Sequence, residues 1–166
     1  TVQATVAGPP ALYASVGATP ILCHGGNSTV TVTAYGGTPP YSGVGTFTYG
    51  AGTHTFIVTD ANQCSDSVTI TIVEPPPLSV ICQVSDCING VRTISAVVNG
   101  GTPMYTYLWM PFNSTTPDID VPCSFSGTIT LRVRDANWTS NDPNNGACEA
   151  FCSVQIFSKT AAGESA

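Results

Sequence analysis

The chain has 166 residues, 42% of them hydrophobic and only 8% charged, with a formal net charge of −6. Ordinary globular proteins carry about 25% charged residues, so solubility here rests on hydroxyls and amides. All four basic residues (Arg92, Arg132, Arg134, Lys159) lie in the second half, and such an acidic chain is a poor partner for nucleic acid or an anionic membrane, whose phosphates need Lys and Arg.

The chain opens with TVQATVAGPPAL (1–12), an alternating strand followed by a Pro-rich junction. It resembles SVTITIVEPPPL at 67–78, the last strand of copy one with its Pro-rich junction. Residues 1–7 thus read as an orphan final strand, either the end of a preceding repeat in a longer array or a strand that completes a neighbouring subunit by main-chain hydrogen bonds. The opening at Thr1, with no leader or initiator Met, is what a processed or excised product would show. No apolar run approaches the roughly 20 residues of a membrane-spanning helix.

The next stretch, CHGGNSTVTVTAYGGTPPY (23–41), meets CINGVRTISAVVNGGTPMY (87–105) without a gap. Val30, Val32 and Ala34 fall on Ile94, Ala96 and Val98, alternating with other residues as a half-buried strand does. THTFIVTDAN (53–62) meets TITLRVRDAN (128–137), and SVTITIV (67–73) meets SVQIFSK (153–159). The second copy carries 11 extra residues before its DAN and 11 after it, lengths that loops between strands tolerate. In GGTPPY the glycines permit backbone angles closed to other residues and Pro fixes the corner. The strand YTYLW in copy two places Tyr105, Tyr107 and Trp109 on one face, with Trp109 the candidate core aromatic; copy one has the looser YSGVGTF.

The expected fold is all-β: two tandem Ig-like β-sandwich domains of about seven short strands each, plus an N-terminal extra strand. The expected boundaries are 1–12 for the orphan strand and junction, 13–76 for repeat 1, 77–160 for repeat 2 with its two insertions, and 161–166 for a tail.

The series C-x-G-G, T-V-T-V, G-G-T-P-P-Y, A-G-T-x-T-x-x-V-T-D-A-N-x-C and V-T-I-x-x-P, spread over residues 22–77, resembles the SprB-type repeat of Bacteroidota gliding adhesins and other large surface proteins. Copy two keeps Cys87, GGTP, YTYLW and DAN, while its loops depart from that pattern. The resemblance implies secretion to the bacterial cell surface, generally by the type IX route, and a place in a modular stalk or adhesin. KTAAGESA at the end lacks an evident type IX sorting domain.

Seven cysteines in such a chain suggest an oxidising, extracellular setting. Cys23 and Cys64, alone in copy one, are the expected intradomain pair. The family's DANxC ending, echoed in NNGAC, implies Cys87 with Cys148. Cys82 with Cys152 would then tie first strand to last and leave Cys123 unpaired, although Cys123 with either is nearly as plausible. The rival is a structural zinc site from Cys82, Cys87, Cys148 and Cys152, at spacings that are not the usual x2.

Asp60 and Asp135, in the two DAN segments, are expected to cap their own turns rather than bind calcium, which needs six or more oxygens. Asp118-Ile119-Asp120 reads as a solvated acidic loop and the second calcium candidate. No metal or cofactor is expected. His24 and His54 stand apart with no nucleophile motif, and no paired carboxylates mark a cleft, so an enzyme is not expected. Asn27, Asn113 and Asn137 head N-glycosylation triplets, which also arise by chance in Thr-rich chains. Asp66-Ser67-Val68 fits the O-glycosylation pattern that the resemblance implies, at Ser67. Trp138, in an insertion, is the freer aromatic.

These readings lead to a structural module of an extracellular assembly, a stalk link or filament subunit whose partners are copies of itself or neighbouring repeats. The alternative is an adhesin whose repeat-2 insertions (110–123 and 138–148) grip a surface glycan.

Overall fold

The structure, a computed structural model, describes residues 8–139 and 148–158. The strand expected over 1–7, most of the second insertion, Lys159 and the tail at 161–166 lie outside those residues. The described chain is all-β, with 11 strands in four antiparallel sheets. It divides into two compact units: one takes the chain up to Ile21 and Gly25–Glu74, the other takes Leu22–His24 and the chain from Pro75 onward.

The first unit contains β1 (Tyr13–Ala18), β2 (Ser28–Tyr35), β3 (Gly45–Tyr49), β4 (Gly52–Thr59) and β5 (Ser65–Ile72). One sheet has the order β1-β2-β3 and the other pairs β4 with β5. Period-two patterning decides which side chains meet: Val30 and Val32 of β2 point inward and Thr29, Thr31 and Thr33 outward. Those valines cluster with Ile21, Phe56, Val58 and Ile72. Fully burying each such side chain stabilises by about 1.5–3 kcal/mol. On the outer face the threonines pair across strands, Thr53 with Thr71 and Thr55 with Thr69 at 3.0 and 2.9 Å.

The second unit contains β6 (Ser79–Val84), β7 (Val91–Asn99), β8 (Thr106–Met110), β9 (Asp118–Pro122), β10 (Gly127–Arg134) and β11 (Glu149–Ile156). Its sheets run β6-β7-β9 and β8-β10-β11. Between them lie Ile94, Trp109, Ile119, Val121, Ile129, Leu131, Val133 and Ile156, with Tyr105 and Tyr107 at the margin. Trp109 is fully buried, and its indole N–H donates to the Thr116 carbonyl at 2.9 Å, so its one polar atom is satisfied.

Three expectations are corrected. The described units have five and six strands, not about seven each. In copy one the strand matching YTYLW shrinks to a single bridge, Ser42 to Thr59, because Gly43 and Gly45 interrupt its alternation. Asp118-Ile119-Asp120 is not a loop but β9, with Ile119 buried and Asp120 accepting from the Thr93 hydroxyl at 2.8 Å. The last strands also match differently: Thr59 pairs with Ser65 and Arg134 with Glu149, so Ser67 corresponds to Phe151 rather than Ser153. A slip of two residues keeps every side chain on its face, so the alternating pattern alone does not distinguish the two registers.

Candidate functional site

The two most closely repeated motifs, GGTP and DAN, come together in each unit as one joint. In the first unit the Asp60 carboxylate accepts the backbone N–H groups of Thr38, Asn62 and Cys64, all at 2.9 Å. The Asn62 amide donates to the Thr38 hydroxyl at 2.9 Å, and Tyr41 donates to the Gly36 carbonyl at 2.5 Å. In the second unit Asp135 accepts from Thr102 and Asn137, Asn137 donates to the Thr102 hydroxyl, and Tyr105 donates to the Gly100 carbonyl. Asp60 and Asp135 are each 4% exposed, and a carboxylate is tolerated there because backbone donors satisfy it.

The Pro-rich junction completes each joint. Gly37 donates to the Pro10 carbonyl at 2.8 Å and Gly101 to that of Pro76 at 2.9 Å. Residues 8–12 therefore belong to the domain that follows them, which moves the start of repeat 1 ahead of residue 13. The glycines are required by close approach as well as by angle. A Cβ on Gly37 would lie 2.7 Å from the Asp60 carboxylate, and one on Gly101 2.9 Å from that of Asp135.

The Thr38 N–H, more than any other group, holds the Asp60 carboxyl below its ordinary value; the N–H groups of Cys64 and Asn62 and the Cys64 thiol add to this, against an opposing push from burial. A depressed carboxyl stabilises the fold fully above its unfolded value, here 3.8, and that stabilisation is lost as pH falls through the lower folded value. In an acid titration followed by circular dichroism, Asp60→Asn should flatten this acid limb of the first unit and lower its stability at neutral pH. An unchanged acid limb would remove Asp60 from the account.

The cysteines depart most from expectation. Cys23 is joined to Cys148 and Cys87 to Cys123, while Cys64 is free and exposed. The expected pairs Cys23–Cys64 and Cys87–Cys148 are therefore not made, and Cys123 is not the unpaired thiol. Cys82 is joined to Cys152. These positions correspond to Val16 and Val68 of copy one, an apolar pair packed against that core. The zinc set is dissolved too, since its four cysteines lie in three different disulfides.

The ladders explain the pairing. Ser28 and Arg92 hold the same repeat position, and they face Tyr49 and Val121. Cys123, two residues beyond Val121, thus stands where copy one has Ala51. Cys87 finds a partner there; Cys23, its counterpart, does not. The second unit takes in Leu22–His24 instead. There Asn137 donates to the Leu22 carbonyl at 2.9 Å, and His24 Nδ1 lies 3.1 Å from the Pro75 carbonyl. No local signal predicts this pairing, though the Cys-for-Ala difference was visible once the register was known.

Among the modification candidates, Asn27, Asn113 and Ser67 are exposed. The Asn137 amide nitrogen makes two hydrogen bonds, to Thr102 and Leu22, one of which a glycan on that nitrogen would displace. Trp138 is half-buried, with the Arg134 guanidinium 3.2 Å above its ring centre. Glu149 holds Arg134 at 2.6 Å and lies 3.4 Å from Arg132. One face of the indole is thus covered by a cation–π contact. His54 rests on Tyr49 with ring centres 4.5 Å apart and bonds the Gly50 carbonyl at 3.1 Å. Among the described residues no three metal-ligating side chains converge, and no helix is long and apolar enough to cross a membrane.

No family model matches this chain, and no curated protein matches it.

Proposed function

We propose that this chain is a load-bearing structural module of an extracellular, cell-surface assembly, a stalk or filament link of the SprB-like, Ig-like kind, and not an enzyme. The observation that carries the reading is covalent: Cys23, near the start of copy one, is bonded to Cys148, near the end of copy two, across 125 residues of sequence. A pull on the two ends travels to Cys23, crosses the disulfide and leaves from Cys148. Nearly all of both β cores lies off that path. Three disulfides fit a secreted or extracellular setting. The twice-built joint supports the reading further, since it fixes each Pro-rich junction to the domain after it and so suits serial repetition. The partners are neighbouring repeats or further copies of the chain.

Single-molecule pulling on the chain held by its two ends tests this. The oxidised chain should lack the extension locked behind Cys23–Cys148, a deficit of roughly 40 nm at the reach of an extended backbone. Reduction should restore it in full, and Cys148→Ser only in part, because Cys82–Cys152 still spans 70 residues of sequence. Equal extensions in the oxidised and reduced chain would leave the load-bearing reading without support. A saturable glycan signal lost in Trp138→Ala would favour the adhesin alternative.

A further inference from the structure

We propose that Cys64 is the receiving thiol of a disulfide between repeat modules, and that its partner is the cysteine at the Cys23 position of another copy of the repeat. The inference rests on the modular reading above. Its basis is the identity of Cys64 and Cys148 as structural twins. Each directly precedes the final strand of its unit, β5 or β11, in the same register, Ser65 facing Thr59 as Glu149 faces Arg134. Each offers its carbonyl to the Asp of the joint, Asp60 to Cys64 at 2.9 Å and Asp135 to Cys148 at 3.1 Å. The twin is occupied. Cys148 holds Cys23, a cysteine of the preceding copy, with a Cα–Cα distance of 5.2 Å, within the normal range for a disulfide. The position therefore receives a cysteine from the repeat before it, and in copy one that receiving position is empty and exposed.

The remaining cysteines show which partner is missing. Cys23 is consumed by Cys148, and Cys87, which holds the Cys23 position in copy two, is closed off by Cys123. The chain thus has one open receiving thiol and no open donor. Any partner must supply a cysteine at the Cys23 position and lack one at the Ala51 position, as copy one does. Copy two, with its donor plugged, terminates such a series in one direction.

Cys123→Ser gives a direct test, because it frees the Cys87 donor on a chain that already carries the Cys64 receiver. In a glutathione buffer, Cys87 first exchanges with oxidised glutathione, releasing one glutathione thiol. The Cys64 thiolate then attacks the Cys87 sulfur and expels the second. Two cysteine thiols lose two electrons and two protons, and one glutathione disulfide becomes two thiols. The expected result is a ladder of head-to-tail oligomers on non-reducing gels, with Cys64–Cys87 as the linking peptide. The ladder should be lost in Cys64→Ser/Cys123→Ser.

A second pair of chains guards against misfolding of that variant. Cys64→Ser/Cys148→Ser offers only Cys23, and the wild-type chain offers only Cys64; mixed, they should give a one-to-one heterodimer through Cys23–Cys64. Chains that join only as symmetric Cys64–Cys64 dimers, or that stop at glutathione adducts in both experiments, would overturn the proposal. The pulling experiment reads Cys23–Cys148 within a single chain, so it can succeed where this fails.

Discussion

Gly100→Ala is expected to destabilise the second unit by about 2–5 kcal/mol, the sum of a left-handed backbone angle and an overpacked contact. Gly100 has φ +72°, and a Cβ there would overlap the Pro77 carbonyl oxygen and lie 2.8 Å from its carbon. Both obstacles are backbone, so no side chain can rotate away. The residue that would shift belongs to the junction held by the Gly101–Pro76 hydrogen bond. Gly90 is the internal control: it has a similar φ of +81° in the same unit, but a Cβ there meets nothing within 4 Å. Gly90→Ala should cost only the angle, about 1–2 kcal/mol. Urea unfolding followed by tryptophan fluorescence reports this unit, since Trp109 and Trp138 both lie in it. Equal losses for the two variants would mean that the junction does not press on Gly100.

Gly36 meets the Ala11 carbonyl in the same way, so the repeated text GGTP records a collision avoided twice. The motif was legible in the sequence, and its mechanical role in the corner was a sound expectation. What the sequence could not display was its partner. The contacts from Thr38 to Asp60 and from Gly37 to Pro10 join residues 22 and 27 positions apart, and nothing local encodes them. Two motifs that stay intact while the loops around them diverge were the available hint that they touch.

The all-β class was legible because Thr and Val alternate with period two wherever one face is buried. Cysteine pairing was not. Cys23 and Cys64 are the pair expected from sequence because both lie in copy one, whereas a disulfide answers to proximity alone. Cys23 also lacks the partner that Cys87 has, because Ala51 stands where copy two has Cys123, a correspondence fixed by strand register and hidden by the first insertion. The same insertion concealed β9, since an acidic pair flanking one isoleucine reads as solvated loop until Val121 is seen to be buried beside it.

Trp109→Ala should cost about 3–5 kcal/mol, the range for removing a fully buried large aromatic. The indole lies beside Leu131, its cross-strand partner on β10, in the same buried cluster as Ile94 and Val121 of the opposite sheet. Truncation forfeits that burial and also leaves the Thr116 carbonyl without its donor. Trp109→Phe separates the two effects. Phe keeps most of the apolar volume but no N–H, so its loss should be smaller, with about 0.5–1.5 kcal/mol arising from the lost hydrogen bond to the exposed Thr116. Denaturant unfolding followed by circular dichroism, with Trp138 fluorescence marking the transition of this unit, distinguishes them. If Phe were as damaging as Ala, the Thr116 hydrogen bond would outweigh packing, and the indole would matter chiefly as the anchor of the segment between β8 and β9. If Phe were harmless, packing alone would explain why copy two carries a tryptophan where copy one, with only the Ser42 bridge in place of β8, carries none.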